Sequence, residues 1–122
     1  MQHCIRVLLA YEDEYRAYRE VISAGIQIVR PHVEVDISSL EALEESIERF
    51  DPHLVICSQP NTYDPGGRPA WVENSVKHVR MPSTICVGGH CSERADLSFE
   101  MLLEDIDVVE ELVLTNNYRR GC

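Results

Sequence analysis

Residues 51–60, with the sequence DPHLVICSQP, constrain the fold of this chain more than any other segment. Its apolar run lies between two prolines, and such a run bounded by turn residues is typical of a strand buried on both faces of a parallel sheet. In open α/β sheets, ligands and chemistry lie just beyond the carboxyl ends of such strands. That place is occupied here by Ser58, Gln59 and Asn61, none of which is a strong acid, a strong base or a metal ligand.

The rest of the chain alternates strand-like and helix-like segments. Strands are predicted at residues 5–10, 33–37, 54–57 and 84–87, and helices at residues 14–29, 40–50, 70–79 and 99–114. Ser38 or Ser39 is the expected N-cap of the second helix, and Ser98 that of the last. This order predicts an α/β fold of the flavodoxin-like type, a three-layer sandwich whose parallel sheet of four strands has helices on both faces.

The interval before the last helix leaves two arrangements open. Only nine positions, 89–97, separate the fourth predicted strand from that helix, too few for both a helix and a further strand. Either the sheet ends at four strands, or Gly88 and Gly89 turn the chain into a short antiparallel hairpin with residues 90–95. We favour the hairpin, in which case the fifth strand is short.

Length and charge exclude several classes of protein. A chain of 122 residues predicts a single domain over residues 1–122. The formal net charge of −10 argues against a nucleic-acid partner, since binding to phosphates needs clustered Lys and Arg. No apolar run approaches the roughly 18 residues of a membrane-spanning helix, and no secretory signal is visible, so we expect a cytoplasmic protein without a membrane partner.

The five cysteines do not form a spaced framework. Cys4, Cys57 and Cys86 lie in apolar, strand-like runs, where thiols behave as small buried hydrophobic groups. The weaker alternative is a zinc site formed by Cys86 and Cys91 with His90, which lacks a second pair of ligands.

Four segments of the chain resemble the receiver domain of bacterial two-component response regulators. These segments are residues 5–13, 52–58, 82–88 and 98–103. They are similar to the family's first strand with its acidic pair, its third strand, its fourth strand and the start of its last helix. The resemblance implies a receiver-like fold and a role in two-component signalling or a phosphorelay.

The residues at the family's phosphorylation centre are different in this chain. Ser58 stands where the resemblance places the phosphoacceptor Asp, while Tyr11, Glu12 and Asp13 stand at the acid pair that holds Mg²⁺. The switch hydroxyl position falls on Val87 or Gly88, and the position of the Lys that follows falls near Ala95 or Asp96. A serine without an adjacent base is a poor nucleophile, and each lost electrostatic group costs about 10²–10³ in rate. The resemblance therefore implies a degenerate receiver, or pseudo-receiver.

The expected function is a non-catalytic signalling module that acts through a protein partner or as a homodimer. We expect no enzymatic activity and no required cofactor, although Glu12 and Asp13 could take a Mg²⁺ ion.

The competing hypothesis is a flavodoxin-like domain or enzyme that binds a small anion or nucleotide. Its pocket would be formed by residues of the loops after the strands: Gln59, Asn61, Arg68, Gly88 and Gly89. The Gly66-Gly67 pair before Arg68 is equally typical of a simple turn, so both interpretations stay open.

Overall fold

The computed structural model describes residues 5–58, 70–73, 83–87, 90–94 and 98–115. The strands are β1 (Arg6–Ala10), β2 (Glu34–Ser38), β3 (Leu54–Cys57), β4 (Ala70–Glu73), β5 (Ser83–Val87) and β6 (His90–Arg94). The helices are α1 (Arg16–Val29), α2 (Leu43–Phe50) and α3 (Phe99–Thr115), and a single 3-10 turn (Asp13–Tyr15) precedes α1. None of the helices in these ranges is both long enough and apolar enough to span a lipid bilayer.

The strands form one mixed sheet in the order β2-β1-β3-β4-β5-β6. Strand β1 pairs in parallel with β2 and β3, and β3 pairs in parallel with β4. The two remaining pairs, β4 with β5 and β5 with β6, are antiparallel. The predicted α/β class is confirmed, whereas six strands of mixed direction replace the expected four parallel ones.

The prediction of a helix over residues 70–79 is wrong at its start. Residues 70–73 form β4, in which Ala70 pairs with Leu54 and Glu73 with Cys57, while residues 74–79 lie outside the described part. The valine spacing favoured a helix, but Trp71 and Val72 are each 1% exposed because they are buried on opposite faces of the sheet. Pairing with β3 and burial on both faces therefore override the local pattern.

Strand β5 lies where the fourth predicted strand was expected, but it runs in the opposite direction. Trp71 of β4 pairs with Cys86, and Glu73 pairs with Thr84. The hairpin with the following segment is confirmed, since β6 pairs antiparallel with β5 and Val87 opposes His90. Antiparallel neighbours such as β5 and β6 need no helical crossover between them. The nine positions 89–97 can therefore hold another strand before α3.

Helices cover both faces of the sheet, as predicted. Alternate residues of β1, such as Val7 and Leu9, join α1 and α3 in one core cluster, to which α1 contributes Ile22 and Ile26. The residues between them, such as Leu8, join the second cluster on the face of α2. The period of two along a strand sends neighbouring side chains to opposite faces, so this central strand is apolar throughout.

Helices α1 and α3 lie side by side on their face of the sheet. A Cβ atom on Gly25 would stand 2.7 Å from the Phe99 ring, so the absence of a side chain at this position allows the close approach. Further along, Arg30 Nη2 lies 2.7 Å from Asp107 Oδ2. These contacts follow the same order along both helices, which therefore run in the same direction.

A buried histidine, His53, connects the starts of β1 and β3 at the amino-terminal edge of the sheet. The backbone N–H of Arg6 donates to Nδ1 of His53 over 3.0 Å, and the backbone N–H of His53 donates to the carbonyl of Arg6 over 2.8 Å. The Arg6 Nε donates to the carbonyl of Asp51, whose φ of 51° ends α2 in the left-handed region that Asp tolerates. With these contacts His53 is only 2% exposed.

One disulfide links the two strands of the last hairpin. Cys86 and Cys91 oppose each other in β5 and β6 and are joined by an S–S bond. The expectation of a reduced, buried thiol is therefore wrong for Cys86 but confirmed for Cys57, which is free and buried. Because the bond takes up both sulfur atoms, the two thiolates of the alternative zinc site are not available in this state.

Candidate functional site

The carboxyl ends of β1 and β3 meet at the point where the strand order reverses. From β1 the chain passes through α1 to β2 on one side, and then through α2 to β3 on the other side. The last residues of the two strands, Ala10 and Cys57, pair in register. Ligands of open α/β sheets bind in the crevice outside such a reversal, which makes this edge the candidate functional site.

Ser58 and Glu12 are joined by a hydrogen bond at this edge. The backbone N–H of Glu12 donates to Ser58 Oγ over 3.0 Å, and the backbone N–H of Ser58 donates to the carbonyl of Ala10 over 3.1 Å. Both residues are partly buried. The serine hydroxyl therefore ties the end of β3 to the segment that leaves β1.

The three residues at the expected acid pair occupy different environments. Tyr11 is fully buried in the core under α1, where its ring meets the Tyr18 ring edge-on at 5.6 Å. Glu12 is partly buried beside Ser58, and Asp13 is exposed at the start of the 3-10 turn. The acidic character of this site thus comes from Glu12 and Asp13, while Tyr11 packs in the core.

Glu73 is a further acidic residue at this edge that the sequence reasoning missed. It is partly buried at the end of β4 and pairs in register with Cys57 at the end of β3. The predicted helix concealed it, although Ala-Trp-Val before an acidic residue is also a plausible buried strand. Glu12, Ser58 and Glu73 consequently follow or end three neighbouring parallel strands.

A buried arginine lies at the carboxyl end of β2, next to this edge. Arg19 of α1 is 9% exposed, and its Nη1 donates to the carbonyl of Ser38 over 3.3 Å. Its Nε has no hydrogen-bond partner among the described residues. Arg19 therefore brings a positive charge and an unused donor to an otherwise acidic edge.

Serines occupy the connection from β2 to α2. Ser38 Oγ and Ser46 Oγ lie 2.9 Å apart, and Ser39 Oγ accepts a hydrogen bond from the backbone N–H of Ala42 over 3.2 Å. Ser39, one of the two predicted capping residues, thus forms a turn over residues 39–42, and α2 begins three residues later than predicted, at Leu43.

The expected pocket residues of the loops stay a prediction. Gln59, Asn61, Arg68, Gly88 and Gly89 all lie outside the described residues. In the described part, pairing of Cys86 with Trp71 and of Thr84 with Glu73 carries the end of β5 away from Ser58. Val87, the last residue of β5, lies toward the amino-terminal edge.

The side chains of this edge supply carboxylate oxygens, a hydroxyl and one guanidinium. Across the described ranges, no group of three or more His, Cys, Asp or Glu residues is arranged to hold a metal ion. His53 and His32 lie elsewhere. The His53 ring accepts a hydrogen bond from the backbone N–H of Arg6, and His32 Nε2 lies 2.9 Å from Glu110 Oε2. Ser58 therefore has neither of these two imidazoles as a general base.

Comparisons with known proteins give no relative of this chain: no protein-family model, no curated protein and no solved structure matches it.

Proposed function

We propose that this chain is a receiver-like signalling module that acts through protein contacts without phosphorylation of an aspartate. The observation that carries the proposal is the Glu12–Ser58 hydrogen bond at the reversal point between β1 and β3. In receivers this place holds a phosphoacceptor carboxylate. Here the corresponding side chain is a hydroxyl that accepts a hydrogen bond from the neighbouring segment.

The arrangement of the first four strands supports a relationship to the flavodoxin-like class. The parallel order β2-β1-β3-β4, with α1 and α2 on opposite faces, is the start of the order 2-1-3-4-5 that receivers share with flavodoxins. After β4 the chain departs from that class, because β5 and β6 form an antiparallel hairpin. In receivers the last strands and the last helix form the usual interaction surface, and here the hairpin takes the place of those strands.

Phosphoryl transfer to Ser58 is disfavoured by the charges that the chain supplies. An aspartyl phosphate forms when a carboxylate attacks while Mg²⁺ and a lysine neutralise the developing charge. The chain contains one lysine, Lys77, and Ser58 offers a hydroxyl that needs a base to become a nucleophile. The proposed module therefore signals by binding another protein, or a second copy of itself, through its surface.

A bacterial origin and a cytoplasmic location belong to the same proposal, and the Cys86–Cys91 disulfide offers a check on the location. Thiols are kept reduced in the cytosol of most organisms, whereas disulfides persist in oxidising compartments. Trapping the thiols by alkylation in intact cells before lysis would show which state the protein adopts there.

Chemical phosphorylation is the direct test of the proposal. We expect that acetyl phosphate with Mg²⁺ adds no phosphate to the purified protein in intact-mass spectrometry, and that beryllofluoride does not change its sedimentation. A mass increase of about 80 Da on residues 51–58 would contradict the proposal.

A substitution at the centre tests whether the receiver geometry is retained. Ser58→Asp would place a carboxylate next to the backbone of Glu12, in the segment that also carries Asp13, so we expect Mg²⁺ to raise the melting temperature of this variant. Ser58→Asn is the matched control, because it has nearly the same shape without the charge. If neither variant responds to Mg²⁺, the relationship to receivers loses its main support.

The second candidate, a domain that binds a small anion, is favoured by Arg19 alone. A buried guanidinium whose Nε has no hydrogen-bond partner within the described ranges is a ready donor for a phosphate or carboxylate. A thermal-shift screen of nucleotides and phosphorylated metabolites tests this candidate. Stabilisation that Arg19→Met abolishes and that Arg16→Met, an exposed arginine on the same helix, preserves would favour it over the signalling module.

A further inference from the structure

Helix α1 carries an apolar stripe on the side that faces away from the sheet. The stripe consists of Ala17, Val21, Ala24 and Ile28, all of them exposed. Val21 and Ile28 are 70% and 79% exposed, whereas Ile22 and Ile26 on the opposite side of the helix are buried. A water-exposed row of this kind on an otherwise acidic protein marks a surface that another molecule can cover.

The spacing of the stripe is that of a helix–helix seam. Its members follow one another at intervals of four, three and four residues, which is the spacing of the contact positions in coiled coils. Small and large side chains alternate along it. Packing of such a row requires a partner row on which large residues face small ones.

We propose that this stripe is a homodimer interface in which α1 packs antiparallel against α1 of a second copy. A two-fold axis between residues 22 and 23 would bring Val21 opposite Ala24 of the second copy, and Ala17 opposite Ile28. Every large residue then faces an alanine. A parallel pair would instead oppose each residue to itself, leaving a gap at the alanines and crowding at Val21 and Ile28.

The charges at the two ends of α1 favour the same orientation. Exposed Asp13 and Glu14 lie at its start, and Arg30 and His32 lie at its end, where they also contact Asp107 and Glu110 of α3. In an antiparallel pair the two acidic starts lie at opposite ends of the seam, and the helix dipoles oppose each other. A parallel pair would bring the acidic starts together, which is repulsive.

The size of the seam sets the expected strength. A helix of 14 residues is about 21 Å long, so a single helix pair buries less than the roughly 1,000 Å² that stable interfaces exceed. We therefore expect a weak dimer in rapid exchange with the monomer. The inference goes beyond the proposed function, because the interface follows from the surface of α1 whether or not the chain signals.

Sedimentation velocity across micromolar to submillimolar concentrations tests the dimer. We expect the weight-average mass to rise with concentration, and Val21→Glu/Ile28→Glu to weaken association by at least about 100-fold. Val108→Glu is the control, because Val108 of α3 is apolar and 51% exposed but lies outside the stripe. Circular dichroism would verify that each variant is folded. A wild-type protein that stays monomeric at every concentration overturns the proposal and leaves the stripe to a different occupant.

A size swap tests the register. Ala24→Val alone should weaken the dimer by crowding, and Val21→Ala alone should weaken it by leaving a gap. The double variant Val21→Ala/Ala24→Val restores one large and one small residue at each contact, so we expect association within about threefold of the wild type. A double variant as weak as the two single ones would contradict the antiparallel register.

Cross-linking tests the orientation. In an equimolar mixture of Ala17→Cys and Ile28→Cys proteins, a short bismaleimide should join position 17 of one copy to position 28 of the other. Identical positions lie about 16 Å apart along the axis in the antiparallel pair, beyond the reach of the reagent. Peptide mapping that finds 17–17 or 28–28 links instead would overturn the proposed geometry.

Discussion

The backbone N–H of Glu12 donates a hydrogen bond to the hydroxyl oxygen of Ser58 over 3.0 Å, across 46 residues of sequence. The bond joins the segment after β1 to the end of β3 at the place where the strand order reverses. A hydroxyl at this position serves as an acceptor that holds two connections together. The proposed relationship to receivers places this hydroxyl where they carry an ionised carboxylate for phosphoryl transfer.

Ser58→Ala should destabilise the fold, since the partly buried Glu12 N–H loses its acceptor. A lost hydrogen bond of this type costs about 0.5–1.5 kcal/mol in the free energy of unfolding, measured by urea titration. Ser58→Thr keeps the hydroxyl and is the matched control, which we expect to retain most of the stability. Equal losses in both variants would show that the hydroxyl contributes little.

The contact between α1 and α3 should respond to substitution of Gly25. In Gly25→Ala the new Cβ would stand 2.7 Å from the Phe99 ring, so the ring must move. Alanine gains about 1 kcal/mol of helix propensity, and crowding costs about 1–3 kcal/mol, so we expect a small net loss of stability.

A double-mutant cycle separates the two effects at Gly25. With Phe99→Leu in place, Gly25→Ala should become stabilising, because the ring no longer opposes the Cβ atom while the propensity gain remains. Urea unfolding of the four proteins gives the coupling. A Gly25→Ala effect that is the same with and without the ring would contradict the contact.

The Arg30–Asp107 ion pair should make part of the free energy of unfolding depend on pH in the acidic range. Hydrogen bonds from Arg30, together with its charge, lower the pKa of Asp107 from its usual 3.8. A carboxyl group whose pKa is lower in the folded state stabilises the fold above its unfolded pKa, and this contribution is lost as the pH falls through the folded pKa. The loss should therefore occur below about pH 4.

Thermal melts of the wild type and Asp107→Asn between about pH 7 and pH 2.5 measure this contribution. We expect the difference in melting temperature to be about 3 °C or less at pH 7, since the pair is partly exposed and screened by solvent, and to vanish at the acidic end. Glu45→Gln removes the fully surface pair with Arg49 and is the control for general charge effects. A difference that persists unchanged at pH 2.5 would exclude the ion pair as its cause.

The Cys86–Cys91 bond predicts the reactivity of two cysteines. Both lie in the tryptic peptide 81–94, which should be about 2 Da lighter before reduction than after it, and should take up alkylating reagent only after reduction. Cys57 lies in another peptide and is buried, so we expect it to react slowly with or without reductant in the folded protein. Immediate alkylation of Cys86 and Cys91 in the unreduced protein would contradict the pairing.

Segments with a strong local period were predictable from their residues. The helix over residues 99–114 corresponds to α3, and Ser98 caps it by accepting from the backbone N–H of Met101 over 3.2 Å. The strand at 54–57 was predictable as well, because four consecutive apolar residues between turn signals can be buried only where both faces are covered.

The candidate site was predictable only in part. Glu12 and Ser58 could be named because each lies within two residues of the end of a predictable strand, and the carboxyl ends of adjacent parallel strands lie at one edge. Glu73 was missed because the four residues of β4 are too few to show a period of two. The spacing of Val72, Val76 and Val79 instead favoured a helix. The burial of His53 likewise depends on Arg6, 47 residues earlier in the chain.

What the sequence determined by itself is the set of local elements and their polarity: the apolar runs that must be covered, the helix stripes and the turns that separate them. Only the tertiary structure decided the strand status of Ala70–Glu73, the direction of Ser83–Val87, the partner of each cysteine in the hairpin and which side of α1 faces water. The physical reason is that periodicity and propensity act within a few residues. Strand pairing, direction and burial are free energies shared between segments far apart in the chain.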